Sequence, residues 1–240
     1  AESWKSSPDG KQWTFSLRKG VQCHHGYGEF TADDVVYSLA RSGDPKRSAF
    51  SSDFKDFDKV EAVDKYTVRI TLKNQVPSLR GLLINDQGGN MVCKKAAEEM
   101  GEKFTQKPIG TGPFMFGEYK SKESVTLLAN PQYFRGKPKL EKIVYRYILS
   151  DASRDLAFTS GEIDLTYGKQ DQTWVERMKK EKDTTVDVFD PGELSVLYLN
   201  VDKPPLNDLR VRQALAYAID RGQIVQFKGK DTSRAARSIV

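Results

Sequence analysis

Cys23, His24 and His25 stand in direct succession, with Asp33 and Asp34 a short element further on. Thiolate, imidazole and carboxylate are all ligands for zinc or nickel. Neighbouring residues of an extended segment point to opposite faces, however, so these three side chains do not converge on one ion. With 2 His and 2 Cys in the whole chain, a closed soft-ligand site cannot be completed. Neither a metal nor another cofactor is expected. Covalent catalysis would need a nucleophile, a base and an orienting group in one place. Ser160-Gly161-Glu162 and the scattered acids offer no such set, so no enzyme is expected. Gly110-Thr111-Gly112 lacks the lysine and the spacing of a phosphate loop and does not open a helix. Arg210-Val211-Arg212 could meet an anion, but basic residues on an exposed helix face are ordinary. Arg212 is expected to pair with a carboxylate such as Asp208 or Glu193.

The elements that would hold such groups are legible in several places. Pro8-Asp9-Gly10 supplies turn chemistry, after which Trp13, Phe15 and Leu17 alternate with polar residues as in a half-buried strand. Thr31 with Asp34 three residues on resembles a capping box, and Val35 and Leu39, with Val36 and Ala40, mark one side of a helix ending before Gly43. A second hairpin spans Val60–Leu72 about Asp64-Lys65, with Tyr66, Val68, Ile70 and Leu72 on one face. Lys94–Met100 forms a short helix closed by Gly101. Phe114–Phe116 and Val125–Leu127 pair about a Lys120–Glu123 turn. Ile143–Ile148 is dense enough in apolar residues to be a buried central strand. Ser153–Thr159 is helical and stops at Gly161, Ile163–Leu165 is short and extended, and Asp171–Lys182 is a charged helix. Val186–Val188 and Ser195–Asn200 are further strands. Asn207 or Asp208 caps a last helix with a Val211, Leu215, Ile219 stripe, which Gly222 ends. Beyond Lys228 the sequence is polar and aperiodic.

Composition bounds the classes. The 240 residues suffice for one large domain or two modest ones, and 38% apolar residues support a core. A net charge of +5, with acids and bases interleaved and no basic block carrying aromatics, speaks against nucleic acid as a partner. No apolar run approaches the roughly 20 residues of a membrane span.

Pro108-Ile109-Gly110-Thr111-Gly112-Pro113-Phe114 suits neither a helix nor a regular strand. Its glycines can take left-handed backbone at little cost, and Pro113 withholds an N–H. It is followed by Ala129-Asn130-Pro131-Gln132-Tyr133-Phe134, by Ser160-Gly161-Glu162-Ile163-Asp164-Leu165, and by Asn207–Arg221. It is preceded by Ala1-Glu2-Ser3-Trp4 and Phe30–Leu39. This ordered series resembles the extracellular solute-binding proteins of peptide- and nickel-type ABC transporters, over essentially the whole chain.

The resemblance implies an α/β, periplasmic-binding-protein-like two-lobe fold, here mostly lobe one with the start of lobe two. It places an accessory subdomain at 1–112, a core subdomain with the hinge strand at 113–200, and incomplete lobe two at 201–240. It implies capture of a peptide-like or related small solute outside the cytoplasmic membrane, with ABC permease subunits as partners. It also implies a periplasmic or extracellular location and allows a membrane anchor in a segment preceding Ala1. The expected solute contacts are Tyr167, Gly168, Lys169 and Gln170 in the loop after Gly161–Leu165, and Tyr198 and Asn200 in the hinge strand. The exported setting also allows a Cys23–Cys93 disulfide; two buried free thiols is the other reading. A function of a different class stays open beside these, a protein–protein module in which the exposed lobe surface self-associates or binds another chain.

Overall fold

The computed structural model describes residues 1–85, 88–169, 171–189 and 194–236. The chain divides into two compact units, Ala1–Tyr147 and Ile148–Val240.

The first unit begins with the hairpin that the Pro8-Asp9-Gly10 turn dictates. Strands β1 (Ser3–Ser6) and β2 (Gln12–Ser16) pair antiparallel, with Ser6 opposite Trp13. Gly10 closes the turn with φ of 67°, a conformation that costs glycine little. Strands β3 (Phe57–Asp64) and β4 (Thr67–Leu72) complete an antiparallel sheet of order β1-β2-β4-β3. Val68, Ile70 and Leu72 alternate inward along β4, so one face of the sheet is apolar. Helix α1 (Ala32–Gly43) covers it with Val35 and Leu39, and α2 (Leu79–Ile84) adds the wholly buried Leu79. The Thr31 N–H donates to Asp34 Oδ2 at 2.7 Å, which fixes the start of α1. The helix keeps Gly43, one residue beyond its expected end.

A second core lies beside the first. Helix α3 (Lys94–Met100) contributes Ala96 and Ala97, and Phe104 and Ile109 pack with them against Cys23 and Cys93. Gly101 ends α3 with φ of 54°. Strands β5 (Phe114–Lys120), β6 (Ser124–Ala129) and β7 (Lys142–Arg146) form a separate antiparallel sheet in that order. Its register slips between Phe116 and Glu118, and Gly117 sits there because a Cβ would stand 3.0 Å from the Thr126 carbonyl oxygen.

The Ile143–Ile148 run departs from expectation. It supplies β7, which is an edge strand, exposed except at the half-buried Ile143, instead of a buried central one. Apolar density marks a surface that favours burial, but burial needs a covering element, and no described element of the first unit covers this strand.

The second unit is helical: α4 (Asp151–Thr159), α5 (Gln172–Met178), α6 (Leu209–Ala218) and α7 (Arg221–Lys228). Ser150, Asp171, Asp208 and Asp220 cap them in turn, each side chain accepting a backbone N–H. Three sequence expectations fail here. Val186–Val188 and Ser195–Asn200 form no strand, because a strand exists only by pairing and no described segment pairs with them. The charged helix stops at Met178, short of Lys182. The last helix ends at Ala218, and Gly222 lies inside α7 instead of closing α6, since the Asp220 cap starts a new helix two residues earlier.

Candidate functional site

The 108–114 crossover is held by side chains from three distant segments. Cys23 and Cys93 form a disulfide with 6.2 Å between Cα atoms, which resolves the open question of their state. Cys93 also takes its N–H to the Ile109 carbonyl at 3.2 Å. His24 is buried, and its Nε2 lies 2.9 Å from the Gly112 carbonyl while Nδ1 lies 3.4 Å from the Gly110 N–H. Nδ1 therefore accepts, and Nε2 carries the proton and donates. Burial pushes this imidazole below its ordinary pKa, opposed in part by the Gly112 bond. Asn130, from the Ala129–Phe134 motif, donates to the same Gly112 carbonyl at 3.0 Å and to the Pro113 carbonyl through its backbone at 2.8 Å. His25 Nε2 meets the Phe116 carbonyl at 3.1 Å. Both imidazoles are thus engaged with backbone, which makes them fasteners of the crossover. Gly110 and Gly112 do not use left-handed backbone after all; a Cβ on Gly110 would touch the His24 ring at 3.9 Å.

The expected solute-contact loop lies in the second unit, against the first turns of α4. Asp151, Arg154 and Asp155 share one helix face by their i, i+3, i+4 spacing. Arg154 donates to the Ile148 carbonyl at 2.9 Å, pairs with Asp151, and stacks over the Tyr167 ring at 4.5 Å from its centroid. Lys169 reaches the other oxygen of Asp151 at 3.1 Å. Lys169 and Arg154 together hold the Asp151 carboxyl below the usual carboxylate range. One turn on, Asp155 accepts the Trp174 indole N–H at 3.0 Å and an Arg177 guanidinium N–H. The indole packs against Gly168: a Cβ there would stand 2.1 Å from Trp174 ring carbons, so only glycine fits. Lys169, Asp155 and Trp174 help line an open depression of about 510 Å³.

Of the six expected contacts, Tyr167, Gly168 and Lys169 come together in this loop, and Gln170 lies outside the described residues. Tyr198 is 89% exposed, and Asn200 accepts the Asp202 N–H at 3.1 Å. No hydrogen bond or ion pair among the described residues ties either to the Tyr167–Lys169 loop. Sequence reasoning missed the α4 face, although its i, i+3, i+4 charge pattern was there to be read. Arg210 makes the direct ion pair with Asp208 at 2.7 Å and does most to lower its pKa, while Arg212 donates to the Leu206 carbonyl at 2.8 Å and adds to that lowering through its charge. Glu193, the other partner considered, lies outside the described residues.

The three-segment fastening of the crossover and the ordered motifs invite comparison with known proteins. The family model of the bacterial extracellular solute-binding proteins, family 5 middle, matches residues 1–240. The chain belongs to this family. It is 32% identical over 247 residues to the periplasmic oligopeptide-binding protein OppA of Escherichia coli, covering 94% of this chain and 45% of OppA. It is 31% identical to heme-binding protein A of Haemophilus influenzae, covering 97% of this chain and 47% of that protein. Among solved structures, MoaA of A. tumefaciens R10 in complex with mannopinic acid matches with TM-score 0.87 and 51% identity, over 100% of this chain and 49% of MoaA. NikZ of Campylobacter jejuni in complex with Ni(L-His) matches with TM-score 0.81 and 30% identity, over 94% of this chain and 45% of NikZ. The mixed α/β fold is therefore that of the periplasmic binding proteins, and the chain spans about half the length of the relatives it matches.

Proposed function

We propose that the chain serves as the solute-capturing part of an ABC importer outside the cytoplasmic membrane, handing its solute to permease subunits without chemistry. Within that class, the solute is a small carboxylic acid of the mannopinic acid kind in preference to a peptide. The observation that carries this choice is the 51% identity to MoaA along the whole chain, against 32% to OppA. Tyr167 and Lys169 support it, since a phenol 73% exposed and an ammonium can stack on and pair with a hydroxylated acid. Tyr198 and Asn200 are further solute contacts in this reading, and Gln170 belongs with the first loop. A one-sided, wet site of this kind binds weakly until a second lobe encloses the solute.

The test is thermal denaturation and calorimetry with mannopinic acid and with di- and tripeptides. The chain extended to the length of its relatives is expected to gain about 2.7 kcal/mol of stability at a hundredfold excess of mannopinic acid over its Kd. The 240-residue chain is expected to show little change. A response to peptides but not to mannopinic acid would replace the solute class, and no response to either would overturn both of these solute classes.

Association is the second reading, favoured by one observation: the second unit leaves Leu156, Leu165, Tyr217 and Phe227 exposed to solvent. Sedimentation tests its self-associating form, which a concentration-independent monomer rules out.

A further inference from the structure

We propose that Arg154 is a positioning residue for solute capture, setting the ring of Tyr167 while staying out of reach of the solute itself. The inference rests on the reading of Tyr167 as a solute contact. The Arg154 side chain is only 12% exposed, so it offers almost nothing to a ligand. Its planar guanidinium is fixed on two sides, by the Ile148 carbonyl at 2.9 Å and by Asp151. A guanidinium fixed in this way presents its face, and Tyr167 lies over it at 4.5 Å. The ring in turn keeps most of its own surface in solvent. One ring face is therefore occupied by protein and the other is left for a ligand.

Asp151 extends the device. The same carboxylate that orients Arg154 also takes Lys169 at 3.1 Å, two residues beyond Tyr167. The phenol and the ammonium of the loop are thus referred to a single carboxylate at the start of α4, whose backbone is set by the Ser150 cap. Asp151 sits 45% exposed and Lys169 51% exposed, so their pair is a solvated one that a competing ligand carboxylate can exchange. Arg154 has no such freedom, because the Ile148 carbonyl holds it as well.

Two measurements test the proposal separately from the reading on which it rests. The first places 3-fluorotyrosine at position 167 of the 240-residue chain and follows its fluorine resonance. Arg154→Met is expected to move that resonance toward its position in a denatured chain, and Arg154→Lys, which keeps a cation near the ring, to move it less. An unmoved resonance in Arg154→Met, with circular dichroism unchanged, overturns the proposal. The second is a double-mutant cycle on mannopinic acid affinity in the chain at its relatives' length. Arg154→Met is expected to weaken binding about three- to tenfold, the range of a partly desolvated cation–ring contact. The same substitution should add nothing in a Tyr167→Leu background, because its effect passes through the ring. Equal losses in both backgrounds assign Arg154 a general structural role and overturn the proposal. If Tyr167→Leu leaves affinity unchanged while the fluorine resonance still responds to Arg154, the solute reading of Tyr167 fails and the ring contact stands.

Discussion

Reducing the Cys23–Cys93 bridge should cost the first unit a large part of its stability. The bridge closes a sequence separation of 70 residues, taking in α1, the β3–β4 hairpin and α2. In the chain-entropy account, a loop of that length restricts the unfolded ensemble by about 4 kcal/mol at 25 °C. The native side gives little back, because Cys23 and Cys93 are buried in a packed cluster with Ala96, Ala97, Phe104 and Ile109 whether or not the sulfurs are joined. For a cooperative unit of this size, each kcal/mol moves the midpoint by about 2–4 °C, so the reduced chain should melt about 8–16 °C lower. Trp13 packs on the first core and reports the transition by fluorescence. The assay is thermal and urea unfolding with and without a reductant, the thiol state being confirmed by intact mass after alkylation. Cys23→Ala/Cys93→Ala should lose at least as much, since it also removes two buried sulfurs. A difference below about 1 kcal/mol between oxidised and reduced chains would refute the reasoning, because unfolding would then not open the loop that the bridge closes.

Leu79→Ala empties a site with 0% exposure in the first core and should cost about 2–5 kcal/mol in urea unfolding; a loss under 1 kcal/mol would mean that the site is not packed as described. His24 has its folded pKa depressed, so the unfolded chain binds the proton first as pH falls below the ordinary imidazole value of about 6.5. Its contribution is complete above that value and is lost on acidification until the folded pKa is passed. Wild type should therefore lose melting temperature between pH 7.5 and 5 more steeply than His24→Gln, which keeps a donor for Gly112, and equal slopes would exclude His24 as the titrating group. Gly168→Ala sets a methyl 2.1 Å from the Trp174 ring and must displace the indole from Asp155. The expected cost is about 1–3 kcal/mol, with a shifted indole emission, and an unchanged emission spectrum contradicts the packing.

What the residues determined alone is what local sterics and hydrogen bonding settle within a few positions. The turn at Asp9-Gly10, the Thr31–Asp34 start of α1, the alternation of Val68, Ile70 and Leu72, and the closure of α3 at Gly101 all depend on neighbours in sequence. The ordered motifs placed the chain in its family, and in the fold Asn130 of one motif meets Gly112 of another at the carbonyl that His24 also contacts. Other features required the tertiary structure. Ile143–Ile148 reads like a central strand yet lies at a sheet edge, since apolar content records a tendency to be covered and says nothing of the cover. Ser195–Asn200 has the alternation of a strand but no described partner, and backbone donors without a partner make no ladder. The disulfide and the meeting of α4 with the Tyr167–Arg177 segment join residues up to 70 positions apart. Periodicity carries no information about such distances; only the folded path of the backbone brings those side chains within reach.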